Sequence, residues 1–155
     1  MADKRELILV RIMAICTAEQ TGAGIETVVR NRAALDNDKR PACVLLDGDE
    51  RAAFPARPSG RSMPLGPTIM LMTPELYVIL KEERPVNALV GEMLNLMRIK
   101  LSKAIATDAQ LKTLLGGNGG IIYNGSVTDL KSGSALTGQM KLDFSYRYVF
   151  DPSTA

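Results

Sequence analysis

Apolar and polar side chains alternate without interruption near the end of the chain, from Gln139 to Phe150. Successive side chains of a β-strand point to opposite faces of a sheet, so the pattern predicts one long strand with a single buried face. Such a strand needs neighbouring strands and a second layer over its apolar side, which restricts the fold more than any other segment does. We expect it to be central or paired along its length. The predicted inward set is Met140, Leu142, Phe144, Tyr146, Tyr148 and Phe150, and the outward set is Lys141, Asp143, Ser145 and Arg147.

The N-terminal segment, residues 3–20, has apolar residues at helical spacing. Asp3 is placed to cap its start, with Glu6 three residues later as in a capping box. The glycines at positions 22 and 24 then end the helix. The face that we predict to be buried consists of Leu7, Val10, Met13 or Ala14, and Thr17.

Two strand-like segments, residues 25–33 and 42–46, follow the first helix. The polar run 36–41 between them is typical of a turn, and Asp47 with Gly48 closes the second segment. The pattern therefore predicts a β-hairpin.

A third strand is predicted over residues 68–80, although it contains Pro74. Proline cannot donate a hydrogen bond to a neighbouring strand, so Pro74 indicates an edge position or a bulge. Helical spacing returns over residues 86–107, and the glycine-rich run 116–120 separates that helix from a further strand over residues 121–130. The buried face predicted for the helix consists of Leu89 or Val90, Met93, Met97, Leu101, and Ala104 or Ile105; Arg98, Lys100 and Lys103 are interpreted as its solvated side.

This element order predicts one α+β domain over residues 1–155, a two-layer sandwich of an antiparallel or mixed sheet packed with two main helices. A chain of 155 residues usually forms a single core. Hydrophobic residues make up 46% and charged residues 23% of the chain, which favours a folded globular protein over a disordered one.

Composition argues against several kinds of function. The chain contains no histidine, which excludes Ser-His-Asp and Cys-His nucleophile systems and histidine-ligated metals. The formal net charge of +2 gives no strong field for gathering nucleic acid or anionic lipid. The apolar run at residues 7–10 is too short for a signal peptide or a membrane span, so we expect no membrane association. Cys16 and Cys43 lie in apolar segments, and we interpret them as reduced core residues of a cytosolic protein.

Three motifs suggest chemistry but fit it poorly. The acidic run at residues 47–50 lacks the spacing of an EF-hand, so we interpret it as a structural turn and expect no metal site. The glycine-rich run 116–120 follows a helix and precedes a strand, the reverse of a dinucleotide-binding loop. Aromatic side chains of the last strand alternate with charged ones, which favours core packing over base stacking. We therefore expect no cofactor, no catalytic residues and no enzymatic activity.

A proline- and glycine-rich stretch between the second and third strands, residues 51–67, has no helical or strand periodicity. A loop of this length inside a small domain is uncommon and is usually functional or disordered. Prolines stiffen such a segment and glycines hinge it, so it is suited to project from the body as an arm. The two interpretations left open are an arm that docks on another subunit and a plain surface loop. The candidate contact residues for subunits or for a tube are Arg51, Arg57, Arg61, Met63 and Leu65.

Several segments resemble the tail terminator (tail completion) proteins of long-tailed bacteriophages and related prophages. These segments are the N-terminal helix, the strand that ends at residues 28–32, the arm, the amphipathic helix and the closing strand. The most specific of them runs from Pro41-Ala42 to the acidic residues 47–50. The resemblance covers roughly residues 5–151.

The resemblance implies an α+β subunit that forms a hexameric ring on the head-proximal end of the tail tube, without catalytic residues. The implied partners are other copies of the chain, the tail tube protein and a head–tail connector protein. DNA would pass through the lumen without specific binding, and the near-neutral charge suits that passage. The implied location is the neck region of the virion tail, after assembly in the host cytoplasm, and the arm at residues 51–67 would contribute to subunit contacts.

Two other functions stay open from the sequence. A head–tail connector, such as a stopper or neck-ring protein, would share the size and the ring assembly. A small nucleic-acid-binding module would use Arg57, Arg61 and the lysines of the second helix, and its binding to DNA would depend steeply on salt. A carboxylate-based hydrolase is the least favoured alternative, because nothing in the sequence brings two acids together.

Overall fold

A computed structural model describes residues 3–32, 39–53, 66–80, 90–117, 120–131 and 137–153. It consists of one five-stranded mixed sheet with helices packed on it, which confirms the predicted α+β class. The two long helices that the sequence predicts are present, and two short ones accompany them. The elements are α1 (Lys4–Ala18), α2 (Gln20–Ala23), β1 (Thr27–Arg30), β2 (Ala42–Ala52), β3 (Thr68–Ile79), α3 (Val90–Thr107), α4 (Ala109–Leu115), β4 (Gly120–Lys131) and β5 (Thr137–Phe150).

The strands are arranged in the order β1-β2-β3-β5-β4. β2, β3, β5 and β4 form antiparallel pairs in that order, so the alternating strand β5 is interior and paired on both sides along its length, which confirms the prediction of a central or paired strand. The hairpin predicted for the first two strands is wrong, because β1 and β2 run parallel, with Thr27 opposite Ala42. Parallel neighbours need a crossover connection, and the chain between Arg30 and Ala42 is long enough to serve as one.

The core lies between the helices and one face of the sheet. On β5 the predicted inward residues from Met140 to Tyr148 are buried, and Phe150 packs against them while partly exposed. On α3 the predicted face is also confirmed, since Val90, Met97, Leu101 and Ile105 are buried. Leu89 lies outside the described residues.

The face predicted for α1 is wrong. Leu7 and Val10 are exposed, and the buried face is rotated from the predicted one. The Asp3 side chain makes no capping hydrogen bond, and Glu6 pairs instead with Arg30 on β1. The residues of α1 that enter the core are Ile8, Leu9, Ile12, Ile15 and Cys16.

Both cysteines are free and buried, as predicted. Hydrogen bonding to Cys16 and burial together raise the pKa of the Cys43 thiol well above its usual value. Cys43 is therefore a protonated core side chain near neutral pH.

A bulge divides β2 at residues 47–48. The register shifts between Leu46 and Asp49, and the strand then continues to Ala52, whereas the sequence predicted that it closes at Gly48. Gly48 has φ of 63°, and a Cβ at this position would lie 2.2 Å from the carbonyl oxygen of Thr73. This position therefore requires glycine.

Pro74 lies opposite this bulge, in a strand that is paired on both sides. The edge position considered for Pro74 is thus wrong, and the irregularity that accommodates it belongs to the neighbouring strand β2. The pairing of β3 with β5 resumes on both sides of Pro74 without a register shift.

Candidate assembly interface

Only one of the five candidate contact residues lies within the described residues. Arg51 is exposed near the end of β2, where it pairs in register with Leu71. The other four candidates, Arg57, Arg61, Met63 and Leu65, lie outside the described residues, as does the arm from residue 54 to residue 65. The structure therefore fixes the base of the arm, where the Ala53 amide donates to the Ile69 carbonyl oxygen at 2.8 Å.

No described helix packs on the second face of the sheet, which we call the helix-free face. Near β1 it carries an apolar patch formed by residues of three neighbouring strands. Ala42 and Val44 are buried there, and partly buried side chains surround them. The patch consists of Val29, Ala42, Val44, Leu46, Tyr77 and Ile79.

The middle of the helix-free face is polar. Lys141 Nζ on β5 lies 2.8 Å from Glu75 Oε1 on β3, and this contact raises the pKa of the Lys141 ammonium group. Arg51, the described candidate residue, lines the same shallow depression together with Asp49 and Asp143. This face is therefore divided into an apolar side near β1 and a charged centre.

The acidic residues 47–50 point to different environments. Asp47 accepts from Arg30, Asp49 lines the helix-free face, and Glu50 accepts from the Tyr148 hydroxyl at 2.5 Å. Burial and this hydrogen bond raise the pKa of the Tyr148 phenol. Over the described ranges, no group of three or more His, Cys, Asp or Glu side chains is close enough to hold a metal ion.

Two ion-pair clusters fix the helices to the sheet and to each other. Arg30 on β1 contacts Glu6 on α1 at 2.7 and 2.9 Å and Asp47 on β2 at 2.5 and 2.7 Å, and these bonds lower the pKa of both carboxyl groups. Arg11 on α1 makes a bidentate contact of 2.5 and 3.0 Å with Asp108. The Asp108 carboxylate also accepts from the Leu111 amide at 2.7 Å and so caps α4.

β4 forms one edge of the sheet, and within the described part of the chain no strand pairs with its outer side. It spans residues 120–131, whereas the opposite edge strand β1 spans only residues 27–30. Ile122, Tyr123 and Val127 on β4 are 45%, 43% and 65% exposed. A long edge strand with exposed apolar side chains is a surface on which other strands can pair.

A groove lies beside this edge, between the sheet and the α3–α4 corner. Its volume is about 500 Å³, and its walls are largely apolar. The Tyr123 ring lies 5.1 Å from the Phe144 ring at its sheet wall. The Ser102 hydroxyl lies at the helical wall, where it is buried without a hydrogen-bond partner among the described residues. The lining residues include the charged Lys112 together with Ser102, Ala106, Leu115, Ile121, Tyr123 and Phe144.

Sequence reasoning did not find this edge and groove. The strand over residues 121–130 was predicted, but its place at the edge depends on the pairing of β5 with both β3 and β4. One signal was available: Ile121, Ile122 and Tyr123 are consecutive apolar residues, so both faces of the strand begin apolar. A half-buried strand would instead alternate, as β5 does.

The fold and these surfaces define a class: an α+β protein with a mixed sheet, described helices on one face, and one long edge strand that no other described strand pairs on its outer side. Comparison with known proteins finds no family model that matches the chain and no curated protein similar to it. Among the described helices, none is long and apolar enough to cross a membrane.

Proposed function

We propose that the chain is a structural tail terminator of a long-tailed phage or prophage. Copies of the chain form a hexameric ring on the head-proximal end of the tail tube, stop the addition of tube subunits, and present the surface to which the head attaches. The proposal takes its starting point from the resemblance of residues 5–151 to that family.

The observation that supports the proposal is that the two edges of the sheet differ in length and in exposed apolar surface. β4 is long and bears exposed apolar side chains, whereas β1 is short and is held by ion pairs. If the β4 edge of one copy meets a different surface of the next, the contact is heterologous, and a heterologous contact that closes on itself makes a ring. Two β4 edges that paired with each other would instead give a closed dimer.

Termination then follows from shape. One face of the ring complements the tube end, and the opposite face offers nothing that another tube subunit can match, so polymerisation stops for want of a complementary surface. The clustered charges on the helix-free face, including Arg51 and Asp143, suit a contact that is specific in orientation.

The test is tube assembly in solution. Tube protein from the same phage or prophage is polymerised with and without the purified chain, and tube lengths are measured by negative-stain electron microscopy. We expect shorter tubes with a ring at one end and a stoichiometry of six copies per end. Tubes that elongate normally with no density at either end would contradict the proposal, and density on an isolated portal or connector would favour a head–tail connector.

The arm supplies a matched variant. Deleting residues 55–66 removes the segment predicted to contact other subunits while leaving the hydrogen-bonded base of the arm at Ala53 and Ile69. We expect a folded monomer that no longer forms rings. If the deletion variant still formed intact hexamers, the proposed role of the arm would be contradicted, and the rest of the proposal would be unaffected.

A further inference from the structure

The groove between the sheet and the α3–α4 corner has two walls of different chemistry. Its sheet wall is aromatic, because the rings of Tyr123 and Phe144 lie 5.1 Å apart there. Its helical wall combines short side chains of α3 with a cation of α4, Lys112. A volume of about 500 Å³ lies within the range of pockets that bind small molecules.

Lys112 gives the groove its charge. Among the described lining residues it is the only charged side chain, and it makes no ion pair with any other described residue. An anionic group on a ligand would therefore meet a cation at this wall and no competing carboxylate of the described lining. Complementary charge of this kind selects the ligand and fixes its orientation more than it adds affinity.

The carboxylate that is nearest to Lys112 by helical spacing is already occupied. Asp108 precedes Lys112 by four residues, the spacing at which an acid and a base on one helix surface pair. The Asp108 carboxylate is instead held by Arg11 in the bidentate contact and accepts from the Leu111 amide. Bidentate arginine–carboxylate contacts are among the stronger charge-assisted hydrogen bonds, so Arg11 keeps Asp108 from Lys112. The Lys112 ammonium group is thus available to a ligand.

The sheet wall favours a planar ring. Phe144 is buried and lies between Tyr123 and Tyr146, at ring-centroid distances of 5.1 and 6.1 Å, so the wall is held in place before a ligand arrives. Tyr123 keeps 43% of its surface exposed and can take a further ring at the offset or edge-to-face contacts that aromatic pairs prefer. Ser102 and Ala106, one turn apart on α3, both line the helical wall, and these short side chains leave space for such a ring.

We propose that this groove binds a small aromatic molecule that carries one carboxylate, with its ring against Tyr123 and Phe144 and its carboxylate beside Lys112. A rigid ring that enters a wall already in place loses little conformational freedom on binding. All of the contacts belong to one chain, so this site goes beyond the proposed terminator function and does not depend on ring formation.

The test uses 1-naphthoate, titrated into the full-length chain at low salt by isothermal titration calorimetry. We expect saturable binding at one site, with a dissociation constant on the order of 1 mM or tighter for a ligand of this size. 1-Naphthamide, which has the same ring and no charge, is the matched ligand and should bind about fivefold more weakly. Absence of saturable naphthoate binding would overturn the inference, and so would equal affinities for the two ligands.

Two lysine variants separate the groove from the overall charge of the chain. Lys112→Met removes the charge and keeps an apolar stem, so it should weaken naphthoate binding about fivefold and leave naphthamide binding unchanged. Lys103→Met removes the same charge at an exposed position of α3 that does not line the groove, and it should change naphthoate affinity no more than about twofold. Equal effects of the two variants would contradict the site.

A third variant tests the location of the ring. Ala106→Leu enlarges an exposed side chain of the helical wall and should weaken both ligands about tenfold. Circular dichroism checks that the variant is folded, and undiminished naphthoate binding by the folded variant would overturn the inference. Tube capping by a chain that binds no naphthoate would refute this site alone, whereas naphthoate binding by a chain that caps no tubes would contradict the terminator role alone.

Discussion

The two edges of the sheet are built differently. At the β1 edge, Arg30 holds α1 and β2 through Glu6 and Asp47, and the side chain of Asn31 accepts from the Asp47 amide at 3.0 Å. At the β4 edge, exposed apolar side chains line a strand that has a partner on one side only among the described residues. The difference teaches that one edge is closed by contacts within the chain, whereas the other, among the described residues, is paired on one side only and exposes apolar side chains.

The largest expected effect comes from the β2 bulge on the closed side. Gly48→Ala should destabilise the fold by about 3 kcal/mol or more, because it combines a left-handed backbone with a Cβ placed against the Thr73 carbonyl. Gly125→Ala in β4 is the control: its φ is also positive, at 124°, but nothing lies within 4 Å of the added Cβ. Urea denaturation of both variants measures the difference, and equal losses would show that the clash at Gly48 is relieved.

A smaller effect on stability is expected at Asp108, which joins α1 to α4, the short helix that lines the groove. Asp108→Ala removes both the α4 cap and the partner of Arg11, and we expect a loss of about 1–2 kcal/mol. Asp108→Asn retains a capping oxygen and should cost less. Thermal unfolding of the two variants shows which one loses more stability. Equal losses would mean that the cap contributes nothing.

The Arg30 cluster makes the stability of the closed edge depend on pH. Arg30 lowers the pKa of the Asp47 and Glu6 carboxyls below their ordinary values of 3.8 and 4.5. The stability that these ion pairs add is therefore fully present above the ordinary values and is lost as the pH falls through the lowered pKa values. Arg30→Met should cost about 1 kcal/mol at pH 7, discounted for solvent screening.

The cost of Arg30→Met should shrink towards zero in acid, as both carboxyls become protonated. Urea midpoints of wild type and variant at a series of pH values measure this. A difference that stays constant as the pH is lowered from 7 until both carboxyls are protonated would contradict the assignment. Lys103→Met, at an exposed position of α3, serves as the control and should show no such dependence.

The smallest effect on stability is expected on the open edge. Val127→Lys should change the free energy of unfolding by less than about 0.5 kcal/mol, because Val127 is 65% exposed. The same variant should weaken ring formation, since it places a charge on the strand proposed to join neighbouring copies. Val127→Thr keeps the branched shape and should assemble. Light scattering measures assembly, and rings formed equally by both variants would remove Val127 from the contact.

The parts of the fold that the sequence predicted are those where pattern and burial agree. β5 alternates strictly, and α3 has one apolar stripe, so each allows only one buried face. α1 is different because its own apolar side chains lie on more than one face of the helix. The stripe that contains Leu7 and Val10 therefore competes with the stripe centred on Ile8 and Ile12. Packing against α4, α3 and the sheet decides between them.

Strand direction and the exposed β4 edge could not be predicted from local pattern. The turn residues 36–41 favour a reversal, but whether β2 pairs with β1 in parallel or antiparallel fashion depends on where β3 lies. Likewise, Tyr123 and Val127 are exposed because β4 is the last strand of the sheet, a property of the order of all five strands. Of the five candidate contact residues in the arm region, the structure describes Arg51 alone, so the predicted role of the arm stays a prediction.

The position of Tyr123 also has a spectroscopic consequence. The chain has four tyrosines and no tryptophan, and Tyr146 and Tyr148 are enclosed in the core. An indole introduced by Tyr123→Trp would be the only tryptophan emitter in the molecule, half in water at the rim of the groove. Its emission would shift to shorter wavelength when a neighbour covers it, so joining of subunits could be followed in real time without any attached dye.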